Sequence, residues 1–242
     1  IAHYKYDAAA NKTEELVLGS DSVLSSRTTY KYDAKGSLLE EAKLDAEGRV
    51  KQKTVLRYDN GRKVEEIVYD SDGQVEKKNT YAYDAIGNKL EATHFRSDGA
   101  IETKEKFIYD TKRNLTEAVA YESDGKVHSK STYKYDGSNN LTEDATYESD
   151  GSIALRIEYR HDGSGNKIEL ARFKSEGKLD TREKYKYAGK TLIEAAVYNA
   201  DDEFMNKTTY GYDQHGTLDR EAEHDKLNEP QRMIRYVIKY FP

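Results

Sequence analysis

Between Lys126 and Tyr135, Val127, Ser129, Ser131, Tyr133 and Tyr135 fall on one side of an extended chain, opposed by His128, Lys130, Thr132 and Lys134. That alternation has period two and predicts a strand. The next segment behaves alike, with Leu141, Glu143, Ala145 and Tyr147 on one side and Thr142, Asp144, Thr146 and Glu148 on the other. Turn residues separate the two segments at Asp136 to Asn140 and close the second at Ser149-Asp150-Gly151. Two strands and two turns make one unit, and the unit recurs. Its first aromatic or apolar anchor stands at Tyr4, Tyr30, Leu56, Tyr81, Phe107, Tyr133, Tyr159, Tyr185, Tyr210 and Tyr236, always 25 or 26 residues apart. A period held over nine units predicts a repeat array, here spanning residues 1–242 as one array.

The turns choose the strand direction. Asp-Gly closes units at Asp72-Gly73, Asp98-Gly99, Asp124-Gly125 and Asp150-Gly151, with Glu47-Gly48 and Glu176-Gly177 as variants. Glycine supplies the positive φ of a hairpin loop. A three-residue loop at Ser149-Asp150-Gly151, with Gly as the bulge, pairs Glu148 with Ser152, Tyr147 with Ile153 and Ala145 with Leu155. The other turn is expected to bring Glu143 opposite Tyr133. The expectation is an all-β, elongated antiparallel meander of roughly 19 short strands, about two per repeat. A sheet of that many strands should curl or spiral, with the tyrosine face inward. A parallel solenoid with one repeat per coil is the rival, and hairpin turns at both joints count against it. Asp201-Asp202-Glu203 and the stretch from Lys226 to Pro230 replace the Asp-Gly turn, and a terminal strand is expected at 231–241. That strand is more apolar on both sides than any other, so Ile234, Tyr236, Ile238 and Tyr240 form a candidate association edge.

Composition changes this picture in one respect. Charged residues are 35% of the chain, with 39 basic and 45 acidic residues giving a net charge of −6. So polar a chain leans toward disorder; twenty-one tyrosines in register argue for an ordered, core-poor protein. Basic residues form no block, so neither nucleic acid nor an anionic membrane is expected as a partner. Apolar runs are far too short for membrane insertion. There is no cysteine, hence no disulfide or thiolate chemistry.

The run Tyr30-Lys31-Tyr32-Asp33-Ala34-Lys35-Gly36, repeated as Tyr81-Ala82-Tyr83-Asp84-Ala85-Ile86-Gly87, resembles the YD repeats of the RHS (rearrangement hot spot) family. The likeness covers essentially the whole chain. His161 stands where the second Tyr belongs, Ala188 replaces the Asp, and the period is longer than the family's usual one. The resemblance implies strand-turn-strand units in a large secreted or cell-surface bacterial protein, and so a structural scaffold.

Two polar columns run through the repeat. Glu14, Glu40, Glu65, Glu91, Glu117, Glu143, Glu169 and Glu194 each lie four residues before the second anchor, and Arg220 breaks the series. Parity places this column on the tyrosine side, where cross-strand Tyr hydroxyls would bond the carboxylates and fix register. Arg27, Lys53, Lys78, Lys104, Lys130, Arg156, Arg182 and Lys207 form a basic column, expected on the opposite face in cross-strand charge pairs. A carboxylate repeated eight times argues for structure, whereas a glycosidase pair occurs once, in one cleft.

Asp70-Ser71-Asp72-Gly73-Gln74-Val75-Glu76 has a faint likeness to a calcium loop, but other units place Arg96, Glu122, Glu148 or Lys174 where Asp70 stands. The six histidines show no ligand spacing, and no nucleotide, zinc or nucleophile motif occurs. Three of the four Asn-x-Thr sequons (Asn11, Asn114, Asn140, Asn206) fall at turns that want Asn anyway. The expected protein is a non-enzymatic scaffold without cofactor or metal, extracellular or on a cell surface. Its expected partners are further copies, end to end, or further repeats of a parent chain. The alternative is a glycan-binding or adhesive module that stacks sugars on the tyrosine rows.

Overall fold

The computed structural model describes residues 1–21 and 23–237. Every regular element in it is a β-strand. They are β1 (Ala2–Tyr6), β2 (Lys12–Leu18), β3 (Leu24–Tyr32), β4 (Leu38–Leu44), β5 (Val50–Asp59), β6 (Arg62–Tyr69), β7 (Val75–Tyr83), β8 (Lys89–Phe95), β9 (Ile101–Tyr109) and β10 (Leu115–Glu122). The series continues with β11 (Val127–Tyr135), β12 (Leu141–Tyr147), β13 (Ile153–His161), β14 (Lys167–Phe173), β15 (Leu179–Ala188), β16 (Thr191–Asn199), β17 (Phe204–Tyr212), β18 (Leu218–His224) and β19 (Pro230–Arg235). The fold is an open antiparallel meander. It divides into two compact units: residues 1–108 with 119–128, and residues 109–118 with 129–242. In the first, β1 to β9 pair in chain order; in the second, β11 to β19 do.

Most joints repeat one solution. At the tyrosine-side turn, Asp136 N–H donates to Asn140 C=O (3.0 Å) and Asn139 N–H to Asp136 C=O (3.1 Å). At the other, Glu148 N–H donates to Ser152 C=O (2.9 Å) and Gly151 N–H to Glu148 C=O (3.0 Å). This is the bulged three-residue loop, and Tyr147 does face Ile153. The variant turns keep it: Asp202 and Asn228 take φ of 62° and 63°, in place of glycine. Asn60-Gly61 closes a tighter loop, both residues at positive φ (49° and 77°), as a type I′ hairpin demands.

One step in from each loop, the register shifts again. Ala145 lies opposite Arg156, not Leu155, because Ala154 is skipped. Glu143 lies opposite Lys134, not Tyr133, because Thr142 is skipped. Equivalent skips occur at Thr13, Leu39, Val64, Leu90, Ile168, Ile193 and Asp219. An extra residue of this kind reverses the facing of everything beyond it. That one residue moves the glutamate column from the tyrosine face to the other.

Among the described residues there is no deep interior. The most buried positions are small or medium, above all Ala42, Ala92, Ala145, Ala171, Ala196 and Ala222, and among the described residues no large side chain is fully buried. Stability therefore rests on the ladder, the turn bonds and half-buried pairs. The terminal strand is described as Pro230–Arg235, extended by Tyr236 N–H donating to Asp219 C=O (2.8 Å). Ile238 and Tyr240 of the expected edge lie outside the described residues, as do 239, 241 and 242.

Candidate functional site

The repeated polar columns meet on one face. Glu143 sits between Lys134 (2.8 Å) and Arg156 (3.8 Å), Glu65 between Lys78 (2.9 Å) and Arg57 (3.2 Å), and Glu194 between Lys186 (2.7 Å) and Lys207 (3.5 Å). Glu169 lies between Arg160 (3.8 Å) and Arg182 (3.5 Å), and Glu14 pairs with both Lys5 and Arg27. Glu40, Glu91 and Glu117 pair with Lys31 (2.8 Å), Lys104 (2.8 Å) and Lys130 (2.6 Å). So the expected glutamate–tyrosine ladder is replaced by a glutamate–cation ladder, and the basic column shares its face. The clasp holds Glu14, Glu65 and Glu194 below the usual carboxylate range, chiefly through hydrogen bonds from Lys5, Lys78 and Lys186.

The cations also lie on the second anchors. Arg156 stands 4.1 Å from the centre of Phe173, with Lys53 over Tyr69 (5.1 Å), Lys78 over Phe95 (5.8 Å) and Lys184 over Tyr198 (4.3 Å). Arg156, Lys78 and Lys184 each span a carboxylate and a ring, and a long side chain opposite a small residue can lay its alkyl stem over it. Ala145 opposite Arg156, and Ala42 opposite Lys53, are such small residues.

The other face carries the first anchors. Tyr30, Tyr81, Tyr133, Tyr159, Tyr185 and Tyr210 are half-buried, whereas Tyr4 is 49% exposed and Tyr236 40%. Lysines fill the gaps between rings: Lys12 lies over Tyr4 (5.6 Å) and Tyr30 (4.6 Å), Lys89 over Tyr81 (5.9 Å) and Phe107 (5.2 Å), and Lys167 over Tyr159 (5.9 Å) and Tyr185 (4.8 Å). Tyrosine hydroxyls do meet carboxylates, one residue beyond the glutamate column. Tyr159 donates to Asp144 (2.9 Å) and Tyr30 to Glu15 (3.3 Å). Burial, then the Asp144 hydrogen bond, pushes the Tyr159 hydroxyl up to about 12.

The second tyrosine of five Tyr-x-Tyr runs has a role that the strand pattern does not state. Tyr32, Tyr83, Tyr135, Tyr187 and Tyr212 donate their hydroxyls to the carbonyls of Lys12, Lys63, Leu115, Lys167 and Leu192, at 2.7–3.0 Å. In the registers of β2 with β3 and β16 with β17, this carbonyl stands two residues beyond the first ladder pair. The hydroxyl supplies the partner that the bulge took away. His161 at the same position buries an Nδ1 without a hydrogen bond. A constant separation of 20 residues between donor and acceptor was the available signal.

The Asp that follows builds the turn. Asp136 Oδ1 accepts the N–H groups of Ser138 (2.8 Å) and Asn140 (2.9 Å), and Oδ2 accepts Asn140 Nδ2 (2.9 Å). Asn11 and Asn114 are held in the same way, so three of the four sequon asparagines are turn clamps. Among the described residues no group of three His, Asp or Glu side chains could hold a metal ion. The surface depressions are shallow and recur with the repeat, one at Val75, Lys78 and Phe95 and its counterpart at Ile101, Lys104 and Tyr121.

No family model matches the sequence, and no curated protein matches it. Among solved structures it is similar to TcdB2-TccC3, at 14% identity over 97% of this chain and 16% of that one, with a TM-score of 0.39. The same figures hold for the Photorhabdus luminescens Tc holotoxin pore. A porin-like protein from Bacteroides uniformis is similar at 14% identity over 93% of this chain and 96% of that one, TM-score 0.37. The chain thus spans about a sixth of the toxin chains it overlays. Superpositions this loose assign neither family nor activity.

Proposed function

We propose that this chain is a non-enzymatic β-repeat scaffold, secreted or on a cell surface, extended end to end by strand pairing at its outermost strands. The observation that carries this is the recurrence itself. Turn clamp, carbonyl cap and glutamate clasp return in unit after unit, so the conspicuous side chains are spent on holding strands together. A catalytic site needs groups that converge once. The outermost strands supply the means of extension: β1 is exposed along its whole length, and so is most of β19. An exposed strand edge is a template for another strand.

Stacking of sugars on the tyrosine rows is the weaker reading. Lys12, Lys89 and Lys167 already occupy the space between successive rings.

Electron microscopy over a concentration series tests the proposal. Particles joined end to end, lengthening with concentration, are expected. Discrete particles at the highest concentration reached would overturn extension between copies.

A further inference from the structure

The edge of β1 is chemically incomplete in a way that specifies its occupant. Odd-numbered and even-numbered strands differ: β1, β3, β7, β11, β15 and β17 carry the two tyrosines, and the even strands β2 to β16 the column glutamate and the second anchor. The odd strands β3, β7, β11, β15 and β17 are each served by the even strand before them. For β3, that neighbour is β2. Tyr30 donates to the Glu15 carboxylate and Tyr32 to the Lys12 carbonyl, while the Lys12 ammonium lies over the Tyr30 ring.

β1 repeats this sequence without this service. Tyr4 and Tyr6 correspond to Tyr30 and Tyr32. They are 49% and 59% exposed, whereas their counterparts are half-buried. Tyr4 has Lys12 on one side of its ring. The backbone is also ready. Ile1 exchanges both its hydrogen bonds with Leu18, so antiparallel alternation turns His3 and Lys5 toward β2 and the N–H and C=O of Ala2 and Tyr4 outward.

We infer that the outer edge of β1 is a strand-addition site for an even-type segment. That segment has Lys or Leu first, carboxylates at its third and fourth positions, and an apolar residue at its fifth, as in Lys12-Thr13-Glu14-Glu15-Leu16. The fourth-position carboxylate accepts the Tyr4 hydroxyl, and the first-position carbonyl accepts that of Tyr6. Main-chain bonds to Ala2 and Tyr4 supply the ladder, and the side chains supply the choice. β19 is an odd strand and lacks this pattern, so a β19 edge is the poorer occupant. The inference rests on the reading of β1 as a joint. Because both outermost strands, β1 and β19, are odd, it narrows the preferred partner of β1 to a chain that presents an even-type strand, with a second copy's edge the weaker one.

The test uses the whole chain and two capped peptides. One has the sequence of β2, residues 12–18, and the other that of β3, residues 24–32. Hydrogen exchange at Ala2 and Tyr4 is followed as each is titrated. The β2 peptide is expected to protect both amides saturably, about tenfold more tightly than the β3 peptide, the worth of roughly one good hydrogen bond. Ala2→Pro, which removes an outward N–H and no tyrosine, should abolish protection of the Tyr4 amide, and Tyr6→Phe should weaken it. Equal protection by both peptides, or none at millimolar concentration, would overturn the inference. The two proposals fail separately. Protection without joined particles sinks extension between copies alone, and joined particles without protection sink the even-strand specificity alone.

Discussion

At the scale of the residue, this fold is a problem in turns. Each three-residue loop needs one residue at positive φ, and glycine meets that need at most of them. Arg113 (φ 72°) and Ala10 (φ 64°) fill it at the cost of a Cβ crowded against the backbone. Arg113→Gly should therefore raise stability by about 0.5–1 kcal/mol, and Gly151→Ala (φ 85°) should lower it by about 1 kcal/mol. Urea midpoints of the two variants check the pair; a destabilised Arg113→Gly would show that its side chain matters more than its backbone. These loops were legible in the sequence, because Asp-Gly and Asp-x-x-Gly state their chemistry locally. The second bulge was not. Thr142 is an ordinary strand residue, and nothing in Leu141-Thr142-Glu143 announces that the ladder skips it. Parity counted straight through it put Glu143 beside Tyr133, and the whole glutamate column followed onto the wrong face.

At the scale of the strand pair, the glutamate clasp explains the unit that breaks the pattern. Where Arg220 replaces the glutamate, both of its cationic partners are gone. Gly211 stands where Lys134 or Lys186 stands elsewhere, and Met233 where Lys207 or Arg182 does. Arg220 reaches across Gly211, so closely that a Cβ there would meet Nη2 at 2.7 Å. Three substitutions thus form one exchange. Gly211→Lys alone should destabilise, since it crowds Arg220 and sets like charges face to face. Arg220→Glu alone lacks the lysine partner on β17. The double variant rebuilds the common pair, and the cycle should show favourable coupling of at least about 0.5 kcal/mol. Additive thermal shifts would mean that the clasp is geometry without energy. The columns themselves were readable from their period, but their pairing was not, since it depends on the same skipped residue.

At the scale of the whole chain, these local arrangements set a pH range. Asp7, Asp110, Asp136 and Asp162 are held below the ordinary carboxylate value chiefly by the asparagine side chain of their own turn, and Glu14, Glu65 and Glu194 by lysine. A carboxylate depressed in the folded state adds stability that is present above its unfolded value and is lost as pH falls through the folded one. The loss should begin below about 4.5, the unperturbed glutamate value, and deepen below 3.8, that of aspartate. At the other limit, burial raises the hydroxyls of Tyr81, Tyr135, Tyr187 and Tyr210, and hydrogen bonds to Glu143 and Glu194 raise Lys134 and Lys186. A raised group stabilises fully below its unfolded value and ceases to do so as pH rises through the folded one. That decline should start above 10.0 for the tyrosines, before the lysines contribute theirs above 10.5. Urea unfolding from pH 2 to 12 should trace a broad plateau with two shoulders. The acid shoulder has a further signature. Most of the clasping lysines are solvent-exposed, so salt should trim the plateau through the glutamates yet leave the turn aspartates, which bond uncharged N–H groups, largely untouched. In high salt, stability should therefore hold until a pH closer to the aspartate value before it falls. A single acid step at the same pH in low and high salt would show that the ion-pair columns carry none of the acid-sensitive stability and that the turns carry all of it.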